Sequence, residues 1–306
     1  MKKAIVTGAN GFVGRTLCEH LLQKGISVVA LVRDNHTDLK DLDGLKFVCC
    51  DMLDYKDLPE ILNDRNADVL YHMAWMGSAG NLRGDYKVQL DNVKSSCALV
   101  EACSKMNCNR IVFPASIMEY ELEKVFQTEK EVGINSLYSC AKLSADYMIR
   151  VLAGAHNIDY IRTVISNIYG PGEYSPRLIN STIRKILKKE YCKFSSGEQL
   201  YDFIYIDDAV EALIRLAENG VCNKTYYVGS GKPRPLKEFI LELGSIVDSE
   251  VQLGIGELPF DGVSLNYDEF DMNAVENDTG FISRTSFTTG IKNTLEWIRN
   301  KESGIY

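Results

Sequence analysis

The sequence predicts an α/β protein built on a doubly wound parallel sheet with a smaller, mixed C-terminal domain, and three observations carry that expectation. Short apolar runs alternate with amphipathic stretches through the first half of the chain, as parallel strands joined by crossover helices do. The first run, Ala4-Ile5-Val6, passes through a glycine-rich turn into a stretch with Leu17, Leu21 and Leu22 at helical spacing. After Gly170-Pro171-Gly172 the alternation loosens.

The turn after the first strand reads Thr7-Gly8-Ala9-Asn10-Gly11-Phe12-Val13-Gly14. Its glycines let the backbone turn tightly and approach a pyrophosphate, and the helix that follows offers free N–H groups to the anion. A dinucleotide site is therefore expected here. The second strand, 27–32, ends at Arg33. An acid at this place serves a ribose 2′-hydroxyl, as in NAD, whereas an arginine suits a 2′-phosphate. NADP is thus favoured over NAD, with NAD still possible because Asp34 follows. The third strand, 46–50, ends at Asp51, whose carboxylate can accept a hydrogen bond from an adenine amino group or cap the next helix. A fourth strand is expected over 68–72, a long helix over 89–106, and a fifth strand from Arg110 that runs into Pro114-Ala115-Ser116. A helix over 136–155 and a sixth strand opening at Asp159 follow.

Beyond residue 170, helices are expected over 178–188, 207–218, 236–247 and 291–299. The expected division is a dinucleotide-binding domain over 1–170, rejoined by 200–218, and a substrate-binding domain over 171–306.

Composition excludes several classes. A net charge of −8 without a strong basic cluster argues against nucleic acid. No apolar stretch reaches membrane-spanning length, and Met1-Lys2-Lys3 leads into a strand rather than a signal peptide, so a cytoplasmic protein is expected. The nine cysteines include no C-x-x-C pairing and read as reduced core thiols, with no metal site expected.

Candidate chemistry lies at Tyr138-Ser139-Cys140-Ala141-Lys142. Residues four apart share a helix face, and an ammonium beside a phenol favours phenolate. A phenol of ordinary pKa, about 10, needs such help to exchange protons near neutrality. Tyr120 and Lys124 share the same spacing but lie in a charged stretch, so Lys124 is read as surface. Ser116, at the carboxyl edge of the sheet where ligands bind, can donate to a substrate oxygen or cap a turn.

Together these segments resemble the extended short-chain dehydrogenases/reductases that modify nucleotide sugars, the NAD-dependent epimerase/dehydratase group. The resemblance spans nearly the whole chain: the T-G-x-x-G-x-x-G turn, His72-Met73-Ala74-Trp75, Asn92, Ser116-Ile117-Met118-Glu119-Tyr120, the Tyr138–Lys142 pair, Asn167-Ile168-Tyr169-Gly170-Pro171-Gly172, and Asp202-Phe203-Ile204-Tyr205-Ile206-Asp207-Asp208. It implies a Rossmann fold and an enzyme in which Tyr138 is the general acid/base, Ser116 polarises the same oxygen, and Lys142 holds the nicotinamide ribose. It implies cofactor contacts from Gly8, Asn10, Gly11, Phe12, Val13, Arg33, Asp51, Met52, Met73, Ala74, Trp75, Asn92, Lys142 and Ile165. Substrate contacts are implied for Ser116, Asn167, Arg177 and Tyr201. It also implies a homodimer through a four-helix bundle.

The chain departs from the family at telling places. The 4,6-dehydratases carry Asp-Glu directly after the catalytic Ser/Thr, where this chain has Ile117-Met118. The family's diphosphate-gripping arginine is Tyr201 here, with Arg177 able to compensate. The arginine usually three residues before the N-x-Y-G-P asparagine is here Arg162, five before Asn167. The function expected is reduction of a 4-keto-sugar nucleotide. The alternatives are a C4 epimerase with tightly bound NAD and a non-catalytic dinucleotide-binding module.

Overall fold

The computed structural model describes residues 1–34, 42–62, 65–127, 133–260 and 262–302. Its central sheet has seven strands. Six come from the first 165 residues: β1 (Lys3–Thr7), β2 (Ser27–Val32), β3 (Leu45–Cys49), β4 (Val69–His72), β5 (Arg110–Ser116) and β6 (Asp159–Ile165). The order across the sheet is the strand Thr225–Val228, then β6, β5, β4, β1, β2 and β3. The pairings among β1–β6 are all parallel.

The sequence dictates this placement. The central strands read as unbroken apolar runs because helices cover both faces of a parallel sheet. In β1 and β2, Ala4 to Val6 and Val28 to Val32 are all buried. The crossover helices are α1 (Phe12–Gln23), the short α2 (Leu58–Ile61), α3 (Tyr86–Lys105), α4 (Met118–Gln127) and α5 (Ser136–Ala155). Strand order reverses between β1 and β4, and ligands bind at such a switch point, outside the carboxyl ends of the strands. Thr7, His72 and Ser116 all stand at that edge.

The chain forms two compact units. The first takes Met1–Ile165, Val210–Tyr227 and Asn273–Ile282. The expected return of 200–218 to this unit differs in detail, because Phe203–Tyr205 pairs with Asn167–Tyr169 in the second unit. The return begins at Val210 and continues into the Thr225–Val228 strand at the sheet edge.

The second unit takes Ser166–Ala209, Val228–Met272 and the chain from Ser283. Helices Leu178–Leu187, Leu236–Val247 and Phe287–Lys301 belong to it. Its core is aromatic: the Phe203 and Phe239 rings lie 4.9 Å apart, and Phe239 and Phe287 4.7 Å. The aspartates of the D-F-I-Y-I-D-D segment tie loops down. Asp202 accepts hydrogen bonds from the Ser230 amide (3.2 Å) and the Gly231 amide (3.1 Å). Asp208 accepts from the Arg284 amide (3.1 Å) and the Thr285 amide (2.8 Å). Among the described residues, no helix is long and apolar enough to cross a membrane.

Candidate active site

The glycine-rich end of the site is built from backbone. Gly8 has φ +63°, and a Cβ there would lie 2.8 Å from the Ala74 backbone. A Cβ on Gly14 would lie 2.2 Å from the Gly8 carbonyl oxygen. The glycine spacing therefore lets β1, the loop after β4 and the start of α1 converge. Gly11 caps α1 without a side chain, so the first-turn amides at Phe12 and Val13 face outward without intrahelical acceptors. An anion fits there.

Beside this turn lies a cavity of about 180 Å³ lined by Gly8, Asn10, Leu31, Val32, Arg33, Asp34, Cys50, Asp51, Met52, Tyr55, Ala74, Trp75 and Met76. Of the residues expected to touch a cofactor, it gathers Gly8, Asn10, Arg33, Asp51, Met52, Ala74 and Trp75. Gly11, Phe12, Val13, Met73, Asn92, Lys142 and Ile165 do not line it. Tyr55, Cys50 and Met76 line it without a motif to announce them, since they face inward through packing. Asp51 also caps the turn after β3, accepting a hydrogen bond from the Leu53 amide at 3.0 Å.

A polar chain braces this edge from behind. The Ser96 hydroxyl donates to the Asn92 carbonyl (2.7 Å) and sits 2.8 Å from His72 Nε2. His72 Nδ1 lies 3.0 Å from the Thr7 hydroxyl, which accepts from the Ala74 amide at 3.0 Å. Burial lowers the His72 pKa to about 3, so the ring is a neutral brace. The Asn92 amide holds both ends of the Met76 backbone, each at 2.8 Å. Gln89 accepts from the Trp75 indole at 3.0 Å. Asn92 therefore shapes the loop beside the cavity.

At the other end, α5 carries Tyr138 and Lys142 on one buried face. Trp75 joins them: its ring is edge-on to Tyr138 at 6.1 Å, and the Lys142 ammonium sits 4.0 Å over it. Lys142 also faces the Phe113 ring at 4.7 Å and donates to the Pro114 carbonyl at 2.9 Å. Burial pulls the Lys142 pKa down to about 8, opposed by the carboxylates of Glu119 and Asp146. Arg83, which sequence reasoning missed, places its guanidinium 4.7 Å from the Tyr138 ring centre. No motif marks it, because a 3₁₀ turn (Asn81–Gly84) brings it there.

Ser116 ends β5 opposite Ile165, and its hydroxyl accepts from the Met118 amide at 3.2 Å. It thus satisfies the first amide of α4. The stretch read from sequence as charged surface is this helix, and it buries Glu119 and Leu122.

Asn167, Arg177 and Tyr201 belong to the second unit. Asn167 donates to the Asp202 carbonyl at 3.2 Å. Arg177 is half-exposed, 3.4 Å from Glu173. Tyr201 stacks on Phe203 at 5.7 Å and stands opposite Arg234 in a short antiparallel pair.

A sequence profile of the NAD dependent epimerase/dehydratase family matches residues 4–229. The chain is 24% identical to a dTDP-glucose 4,6-dehydratase of Escherichia coli over 98% of its length and 94% of the relative's. It is 28% identical to the CDP-abequose synthase of Salmonella typhimurium over 78% and 79% of the two chains. The solved UDP-glucuronic acid 4-epimerase of Bacillus cereus, in complex with UDP-glucuronic acid and NAD, superposes with a TM-score of 0.80 at 20% identity, covering 98% of this chain and 99% of that one. The chain belongs to the NAD dependent epimerase/dehydratase family.

Proposed function

From that membership, we propose that the protein is a nicotinamide-dependent oxidoreductase acting at C4 of a nucleotide-linked sugar, in the direction of 4-keto reduction. The observation that carries the reading is the convergence of Tyr138 and Lys142 on Trp75 beside the glycine turn. The cradle at Gly8 and Gly14 and the cavity beside Asp51 fit a dinucleotide. Gly8, Asn10, the α1 amides, Asp51 and Trp75 would hold it. When bound, the nicotinamide supplies the hydride to the sugar carbon.

The chain's own residues move the proton. Tyr138 delivers it to the nascent O4, as a general acid must at hydrogen-bond distance. Ser116 donates a hydrogen bond to the same oxygen. Lys142 and Arg83 set positive charge beside the phenol and favour its phenolate. Net reduction rather than dehydration is supported by Ile117 and Met118, which cannot act as acid or base. The nearby carboxylates of Glu119 and Asp146 are both paired with Arg162.

Both a guanidinium (Arg33) and a carboxylate (Asp34) line the adenosine end of the cavity. The first suits NADP. The second suits NAD, the cofactor that the solved Bacillus cereus relative carries. The epimerase reading is favoured by that relative, a 4-epimerase. Purified protein is expected to oxidise NADPH or NADH stoichiometrically with a 4-keto-sugar nucleotide. Tightly retained NAD with no net consumption on any such substrate would replace reduction by epimerisation.

A homodimer through α3 and α5 belongs to the same reading. Tyr86 and Leu90 on α3 and Tyr147, Met148 and Val151 on α5 are exposed, between 49% and 71%. Light scattering on wild type and Val151→Asp checks it, a dimer giving way to a monomer.

A further inference from the structure

Below the site lies a charge cluster that the proton transfer does not use directly. Arg162, on β6, donates to three partners: Asp146 through Nε, Glu119 at 2.7 Å, and the Tyr120 hydroxyl at 3.1 Å. The Tyr160 hydroxyl donates to the other oxygen of Asp146. The second oxygen of Glu119 accepts from the backbone amide of Ser116 at 2.8 Å. Glu119 is 1% exposed, Asp146 4% and Lys142 4%. Asp146 lies four residues after Lys142 on the buried face of α5. Two carboxylates and two cations thus share one buried region, drawn from α4, α5 and β6.

Such a cluster is a poor source of stability, because removing charges from water costs more than their attraction returns unless every hydrogen bond is made. Apolar residues of the same volume would hold β6 to α5 as well or better. What they would not supply is negative charge near Lys142. That ammonium is sealed beneath Trp75 and Phe113 with one backbone acceptor.

We infer that Glu119 is a positioning residue for the reaction at Tyr138: with Arg162 and Asp146 it forms a buried network that holds Ser116 at the sheet edge and keeps Lys142 cationic. The inference rests on the proposed roles of Tyr138 and Lys142. Burial lowers the Lys142 pKa, and the carboxylates of Glu119 and Asp146 oppose that pull. Arg162 limits how strongly they do so. Of the other titratable groups nearby, Tyr138 lies one turn before Lys142 on α5, the neutral His72 on β4 interacts with its charge, and Tyr120 and Tyr160 hydrogen-bond to Arg162 and Asp146 of the network. The buried polar residues of α3 are the uncharged Gln89, Asn92, Ser95 and Ser96.

The test titrates Lys142 directly, by NMR of lysine 13Cε-labelled full-length protein, its signal identified by its loss in Lys142→Met. Glu119→Gln is expected to lower the Lys142 midpoint by about one unit, a roughly tenfold weaker hold on the proton. Glu119→Asp is expected to restore part of it. The alkaline limb of kcat is expected to move down by the same amount in Glu119→Gln. A folded Glu119→Gln protein with an unmoved lysine midpoint overturns the inference. So does a moved midpoint with an unmoved limb. If Glu119→Gln does not fold, Asp146→Asn removes the other carboxylate and the same criteria apply. Full turnover in Tyr138→Phe would refute the catalytic reading instead, and the lysine titration would still decide whether Glu119 holds the charge.

Discussion

The glycine turn and the Tyr138–Lys142 end of the first unit, to which we assign dinucleotide binding and proton transfer, are built by opposite means. At the glycine turn the working parts are backbone: the α1 amides, the left-handed Gly8 and the Ala74 peptide that approaches it. At α5 they are side chains, and their properties are set by other side chains beneath them. Backbone geometry tolerates few residue types, so the first end is stiff toward substitution but indifferent to pH. Side-chain charge depends on burial and counter-charge, so the second end tolerates replacements sterically and responds to pH.

The largest expected effect lies at the second end. Tyr138→Phe removes the proposed proton donor and keeps the ring against Trp75. Turnover is expected to fall by about 10²–10⁴-fold, the usual worth of a positioned acid, with melting temperature unchanged. Steady-state kinetics beside a thermal melt checks both. On the wild-type enzyme, Lys142 is charged below about 8 and neutral above it. Activity is therefore expected to decline as pH rises through about 8, because the cation that favours phenolate is lost. His72 stays neutral at any pH above about 3 and contributes no limb in the working range.

The glycine turn offers the complementary test, in stability. A methyl on Gly14 would meet the Gly8 oxygen at 2.2 Å, and one on Gly11 would meet it at 3.1 Å. Gly14→Ala is expected to destabilise by about 1–3 kcal/mol or more, the range of core overpacking. Gly11→Ala is expected to cost less than about 1 kcal/mol, because a few tenths of an ångström of adjustment relieve it. Denaturant melts of the two variants measure the gradient. Equal losses would mean that the turn is not held by that close approach.

The same contrast explains what was legible in the sequence. The sheet, the glycine turn and the helix carrying Tyr138 and Lys142 were readable because strand hydrophobicity, glycine spacing and helical periodicity are local signals. Arg83 and Glu119 were not. Each sits in a polar stretch that reads as solvated surface, and each acquires its role from a partner far along the chain. Glu119 meets Arg162 across 43 residues. The asparagine of α3 was recognisable by motif, but its grip on the Met76 backbone was not. Asn92→Leu would leave that backbone pair without its partner and is expected to cost about 1–3 kcal/mol. Weaker dinucleotide binding should accompany the loss. Isothermal titration of the variant separates a loosened loop from a merely destabilised fold.

The smallest expected effect lies where the two ends meet the question of cofactor. Arg33 and Asp34 are both exposed at the cavity, so solvent screens each. A guanidinium that hydrogen-bonds a 2′-phosphate at such a place is worth about 1 kcal/mol, or roughly fivefold in affinity. Arg33→Ser is therefore expected to weaken NADP binding about fivefold and leave NAD nearly unchanged. Asp34→Ala is expected to weaken NAD and spare NADP, since a carboxylate pairs with a 2′-hydroxyl and repels a phosphate. Titrating both dinucleotides against both variants gives four affinities. A selective loss in the Arg33 row assigns NADP and a selective loss in the Asp34 row assigns NAD. Equal losses everywhere would place the discrimination elsewhere in the cavity, with Asp51 the next residue to change.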